Sequence, residues 1–285
     1  MSAFPAVRGL PQPGRTLVMG VLNVTPDSFS DGGRWFDSDA AVAHGLAMAA
    51  EGADLVDVGG ESTRPGAERP GVPEELRRVL PVVQALSAAG VVVSIDTMQA
   101  EVAAAAVQAG ARLVNDVSGG LADDAMLATV AGLEVAYVCM HWRAHSAVMQ
   151  ERSSYGDVVT DVVRELRDRL EQARAAGIAA DRLVVDAGLG FAKTAGHNWQ
   201  LLRRLDELDA LGVPQLVGVS RKAFLGALLA DGDARPRPPA ERDAATSALT
   251  TVLAQRGVWG VRVHAVQASR DAIAVVQRLQ EGSSS

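Results

Sequence analysis

Eight short apolar runs recur along this chain, and nearly every one stops at a polar residue. Thr16 to Leu22 stops at Asn23, and Leu55 to Val58 opens into Gly59-Gly60-Glu61-Ser62-Thr63. Val91 to Ile95 ends at Asp96, and Leu113-Val114 at Asn115-Asp116. Val135 to Met140 meets His141, and Leu183 to Val185 meets Asp186. Gln215 to Val219 meets Ser220-Arg221-Lys222, and Val258 to Val263 carries Arg262 and then His264. Unbroken apolar runs of this length read as parallel strands covered on both faces. Segments with helical periodicity separate them, the clearest being 38–50, 74–88, 158–176, 199–211 and 269–279. Eight strand–helix units of about 30–40 residues each predict a single-domain α/β chain of the (β/α)8 TIM-barrel class. The competing architecture is an open doubly wound sheet, which should show an early G-x-G-x-x-G. None occurs. Gly188-Leu189-Gly190-Phe191-Ala192-Lys193 has only two glycines and follows the sixth run, and there is no P-loop.

With 285 residues, 48% of them hydrophobic, the chain can bury the core such a barrel needs. The predicted barrel domain spans 16–281, flanked by a loose arm from Met1 to Arg15 and a flexible tail from Gly282 to Ser285. A net charge of −7 argues against nucleic acid as a partner. Cys139 is the single cysteine and lies in an apolar run, which fits core packing in a reducing cytoplasm. No apolar run nears the ~20 residues that cross a bilayer, so no membrane association is expected.

A barrel gathers its strand ends at one mouth, where enzymes of this architecture place their chemistry. The residues delivered there divide by charge. Asp96, Asn115 and Asp186 offer acceptors and an amide, suited to a flat heterocycle rich in N–H donors. Asn23, Lys222, Arg262 and His264 suit an anion, arginine supplying a fork for phosphate oxygens. The ligand implied is a polar, donor-rich ring that carries a phosphate or diphosphate.

The longer motifs resemble those of the dihydropteroate synthase family. They are Met19-Gly20-Val21-Leu22-Asn23-Val24-Thr25-Pro26-Asp27-Ser28-Phe29-Ser30-Asp31-Gly32-Gly33 and Asp57-Val58-Gly59-Gly60-Glu61-Ser62-Thr63-Arg64-Pro65-Gly66. Ser94-Ile95-Asp96-Thr97, Asn115-Asp116-Val117-Ser118-Gly119-Gly120, Ser220-Arg221-Lys222 and Arg262-Val263-His264 complete the set, and the likeness runs from Val18 to Val276. The resemblance implies condensation of 4-aminobenzoate with a hydroxymethyl-dihydropterin diphosphate. It places Asp96, Asn115 and Asp186 on the pterin ring's N–H edge, with Lys222 over the ring and Met140 and Phe191 as apolar walls. It assigns Asn23, Thr63, Arg262 and His264 to the diphosphate, with Asn23 beside a Mg2+ ion. Phe29, Asp31, Arg64 and Pro65 fall in lid loops over the 4-aminobenzoate site, and Thr63 shares one of these loops. Ser220 falls where that substrate's carboxylate is met. A homodimer is implied as well.

Two positions depart from the family pattern: Ala187 stands where proline is usual, and Ala265 where aspartate is usual. The first removes a φ restraint from the turn after Asp186. A corrinoid-type pterin methyltransferase shares the barrel and the Asp/Asn floor but has no use for a diphosphate clamp. A pterin-binding chain without catalysis is the non-enzymatic alternative. His141 and His145 stand four apart, but no glutamate follows His141, so a zinc pair is not expected.

Overall fold

The computed structural model describes residues 5–25, 38–61, 70–143 and 154–281. Eight strands alternate with helices: β1 Leu17–Asn23, β2 Leu55–Gly59, β3 Val93–Asp96, β4 Leu113–Asp116, β5 Ala136–Met140, β6 Leu183–Asp186, β7 Leu216–Val217 and β8 Gly260–Val263. They form one parallel sheet in the order β6-β5-β4-β3-β2-β1-β8-β7. A parallel bridge between Val185 and Gln215 joins β6 to β7 and closes the ring. The expected (β/α)8 barrel is therefore the fold observed.

Alternation along each strand sorts the side chains. Val18, Val56, Val114, Tyr137, Val185 and Val261 belong to the large cluster shared with the helices. Their neighbours Leu17, Met19, Leu55, Leu113, Val138, Val184 and Leu216 fill the barrel interior. Two residues further along β2, β4, β5 and β6 the same face carries Asp57, Asn115, Met140 and Asp186. The period of two that packs an apolar floor thus puts a polar layer directly above it.

Nine α-helices lie among the described residues: α1 Ser38–Ala50, α2 Val72–Ala88, α3 Ala100–Gln108, α4 Met126–Leu133, α5 Val158–Ala175, α6 Ala195–Arg203, α7 Ala223–Leu228, α8 Asp243–Gln255 and α9 Val266–Glu281. Asp157 caps α5 by accepting from Thr160 N at 2.8 Å. Thr194 and His197 close a reciprocal cap on α6.

The structure corrects two expectations. The segment 199–211 is not one helix: α6 ends at Arg203, and Leu205–Leu211 is a 3-10 helix. The N-terminal arm is not loose from Pro5 onward. Val7 is fully buried, and with Leu10 it packs under the barrel against Leu17, Leu216 and Trp259. Arg15 then grips Asp54 through two hydrogen bonds of 2.7 Å. The Pro- and Gly-punctuated composition of the arm hides this plug, because its apolar residues follow neither strand nor helix period.

Val7→Asp should cost about 3 kcal/mol or more, because it puts an unpaired carboxylate into the apolar floor. Urea denaturation checks this, with Arg8→Asp as the exposed control expected near wild type.

Candidate active site

Arg262 organises the mouth of the barrel. Its Nε donates to Asp57 Oδ2 at 2.6 Å and its Nη2 to Asp96 Oδ2 at 2.8 Å. Asn115 Nδ2 donates to the same Asp57 oxygen at 2.9 Å. Strands β8, β2, β3 and β4 are thereby joined through side chains above the apolar floor. Burial opposes the Arg262 charge, but Asp57 and Asp96 beside it raise its pKa further, so the guanidinium stays charged. Burial pushes Asp96 up to about 7 against the pull of Arg262, with Asp57 and Glu75 adding to the rise. Arg262 Nη1 makes no hydrogen bond among the described residues.

Asp186 faces this group from β6. Its Oδ1 accepts from Gly188 N at 2.7 Å. Gly188 has φ +64°, and a Cβ there would overlap the His141 carbonyl, so only glycine fits the turn. The carboxylate is held at this point without the proline usual at position 187. Burial raises the pKa of Asp186, and Lys222 opposes the rise.

Lys222 follows β7 and precedes α7. Its ammonium donates to the Leu189 carbonyl and lies 5.0 Å from the centre of the Phe191 ring. Burial brings its pKa down to about 8 against the attraction of Asp186. Lys222 therefore sits with the acidic group instead of beside His264. Arg221 next to it adopts φ +58° and turns outward, where Asp243 takes its guanidinium at 2.7 and 2.8 Å.

Gly218 marks the space these groups share. A Cβ at that position would stand 3.7 Å from Asp186 Oδ2, 3.7 Å from Lys222 Nζ and 3.9 Å from Arg262 Cβ. An anion, an ammonium and a guanidinium-bearing side chain converge on the gap that the missing side chain leaves.

Ser220 and His264 form a separate pair. Ser220 Oγ lies 2.9 Å from His264 Nδ1 and accepts from His264 N at 3.2 Å. Asn23 ends β1 half-buried, in register with Gly59, which is in turn level with Asp96. Met140 and Phe191 share a small apolar cluster with Met98 and Val117. Phe29, Asp31, Thr63, Arg64 and Pro65 lie outside the described residues, as does His145. His141 has both ring nitrogens engaged by protein: Nε2 at 2.9 Å from Glu165 and Nδ1 at 2.9 Å from Lys193.

Two residues of this region escape sequence reasoning as site residues. Asp57 lies inside an apolar run, and only strand alternation reveals that it faces inward. Its Oδ1 is buried with no hydrogen-bond partner among the described residues. Lys193 reads as a helix-start residue yet is only 4% exposed.

Comparison with known proteins decides the family. Residues 19–264 match the family described as pterin binding enzyme. The chain belongs to the dihydropteroate synthase family of pterin-binding enzymes. It is 58% identical to the dihydropteroate synthase of Mycobacterium leprae (strain TN) over 260 residues, which is 91% of this chain and 92% of that one. Among solved structures it is similar to the Xanthomonas albilineans dihydropteroate synthase with 4-aminobenzoic acid, at TM-score 0.86 and 47% identity over 93% of each chain. The same enzyme in complex with 7,8-dihydropteroate gives TM-score 0.83 and 45% identity, over 93% of this chain and 94% of that one.

The raised pKa of Asp96 sets a pH dependence. The folded chain holds this proton up to about 7, whereas an unfolded aspartate releases it near 3.8, so the contribution is full below pH 3.8 and is lost as pH rises to about 7. Asp96→Asn should flatten the fall in unfolding free energy across that window by roughly 1 kcal/mol or more. Denaturation at pH 5 and pH 7.5 measures it, and an unchanged slope would remove Asp96 as its source.

Proposed function

We propose that this protein is a dihydropteroate synthase, a transferase that joins 4-aminobenzoate to 6-hydroxymethyl-7,8-dihydropterin diphosphate. The bond from the exocyclic carbon to the diphosphate oxygen breaks, and a bond from that carbon to the arylamine nitrogen forms. The amine loses one proton, and the products are 7,8-dihydropteroate and diphosphate. The observation that carries this reading is the convergence of Asp186, Lys222 and Arg262 on the gap at Gly218, with Asp96 bonded to Arg262 and Asn115 linked to it through Asp57. An acceptor for a ring's N–H edge, Asp186 Oδ2, and a cation, Lys222 Nζ, each stand 3.7 Å from one point there, beside the Arg262 side chain.

In this reading Asp96, Asn115 and Asp186 bind the pterin ring's donor edge, and Lys222 lies over the ring toward its carbonyl side. Met140 and Phe191 wall the ring. Arg262, with Nη1 still available, meets the diphosphate together with His264, Asn23 and Thr63. Phe29, Asp31, Arg64, Pro65 and Ser220 form the 4-aminobenzoate side. Sharing Arg262 between the acidic group and the phosphates couples the two ends of one substrate.

The donor set suits Mg2+ in one respect. Asn23 offers a single hard oxygen at the rim, and magnesium usually takes one or two protein oxygens and draws the remainder from phosphate and water. When bound, the ion spreads the charge of the departing diphosphate. The protein's own part is orientation and electrostatics. The anionic charge of Asp186, joined by that of Asp96 once pH rises past about 7, favours positive charge on the exocyclic carbon, so departure precedes attack and no strong base is required. We infer a homodimer as well. Leu228 on α7, Val252 on α8, and Val275 and Leu279 on α9 are large apolar side chains left exposed, and a partner copy would cover them.

Three outcomes are expected. Diphosphate release from the pterin diphosphate with magnesium should require 4-aminobenzoate; pterin binding without turnover would instead mark a non-catalytic chain. Asp186→Ala should abolish measurable turnover with a near-native melting curve, whereas near-normal rates would take Asp186 out of the pterin site. Positional isotope exchange in the diphosphate substrate should occur without the amine, and its absence, with a rate that depends on amine basicity, would favour direct displacement.

A further inference from the structure

Three groups of the site come from one irregular turn between β6 and α6. They are the Asp186 carboxylate, the Leu189 carbonyl that receives Lys222, and the Phe191 ring. The turn has left-handed residues at Gly188, Gly190 and Ala192, so its own backbone does not favour one shape. It is tied down from outside. Tyr155 Oη donates to Ala192 O at 3.0 Å, and Gly190 N donates to Asn198 Oδ1 at 2.8 Å. The main tie is Lys193. Its buried Nζ lies 2.9 Å from His141 Nδ1, 3.0 Å from Gly188 O and 3.1 Å from Phe191 O.

An ammonium has three N–H donors, and here it meets three acceptors. The count fixes the rest of the chain of bonds. With Nδ1 accepting from Lys193, His141 carries its proton on Nε2 and donates to Glu165 at 2.9 Å. Burial, the charge of Lys193 and that of Arg143 hold the His141 pKa down to about 4, so the ring is neutral. Burial opposes the Glu165 charge, yet His141 and Arg143 bring its pKa to about 2. Arg143 completes the line with bonds of 3.0 and 2.5 Å to Glu165.

We propose that Lys193 is a positioning residue for the pterin end of the site, its ammonium fixing the turn that aims Asp186 and receives Lys222. The inference rests on the function proposed above. A neutral donor suffices to hold a carbonyl of this turn, as the Tyr155 hydroxyl shows for Ala192. The chain instead buries a charge, and burial brings the Lys193 pKa down to about 7 against the attraction of Asp186. Lys222 and Arg143 oppose that charge further, and Glu165 favours it. What the ammonium adds is a further cation acting on Asp186: burial raises the Asp186 pKa, and Lys222, the Gly188 amide and then Lys193 oppose the rise. It helps keep that carboxylate ionised where burial would protonate it.

The test compares wild type with Lys193→Met in two ways. Without ligand, hydrogen exchange should quicken at least about tenfold for amides 187–192 and stay unchanged in the strands. In calorimetry with magnesium, affinity for the pterin diphosphate should fall by about tenfold or more, while the KM for 4-aminobenzoate changes by less than about twofold. Unchanged exchange in the turn would overturn the proposal. Loss of the cooperative melt, or equal loss of both substrates, would also overturn it by making Lys193 a support of the whole fold. A wild type that binds no pterin diphosphate would sink the function reading, and the exchange result alone would then decide whether Lys193 fixes the turn.

Discussion

The contact of Arg262 with Asp57 and Asp96 is the constraint on which the mouth of the barrel depends. Two inward carboxyl groups on adjacent strands are costly to bury above an apolar floor without a shared donor. The guanidinium between them makes the arrangement possible, and removing Arg262 leaves both carboxyl groups without their cation. The residues lie 205 and 166 positions apart in sequence, so the bonds exist only once β8 has closed against β1. Pairing of β8 with β1 and assembly of this group are therefore one event.

Closure also explains why the two charge classes are not separate rims. The sequence sorts into an acidic set and a basic set, as if each would line its own side. In the folded chain Arg262 is bonded into the acidic set and Lys222 lies beside Asp186, while Ser220 and His264 pair together. Asp57 and Asp96 share Arg262, and Lys222 offsets the cost of burying Asp186, because buried charge is costly unless a partner is near. A bound anion would then compete for cations that already serve the floor. This gives a physical route by which the phosphate end of a ligand can influence how its ring end is held.

Much of this was legible beforehand. The eight apolar runs and the residues ending them announce the barrel and bring Asp96, Asn115, Asp186, Lys222 and Arg262 to one end. What stayed hidden depends on partners distant in sequence. Asp57 sits within Leu55–Gly59 and looks like an interruption until alternation places it above Leu55. Lys193 looks like a solvated charge at a helix start, because nothing local shows that His141 and two carbonyls surround it. Arg221 belongs to a shared motif with Lys222 but points to α8, since a left-handed backbone reverses its direction. The arm at Val7 reads as loose because the cavity it fills is built by β1, β7 and the start of β8.

The central claim is that one opening grips both ends of a single molecule. A crystal structure with the pterin diphosphate and magnesium tests it most directly. The account predicts the ring's N–H edge on Asp96, Asn115 and Asp186, and phosphate oxygens within hydrogen-bonding distance of Arg262. A ligand whose ring and phosphates contact only one of these groups, or that lies outside the barrel mouth, would contradict it.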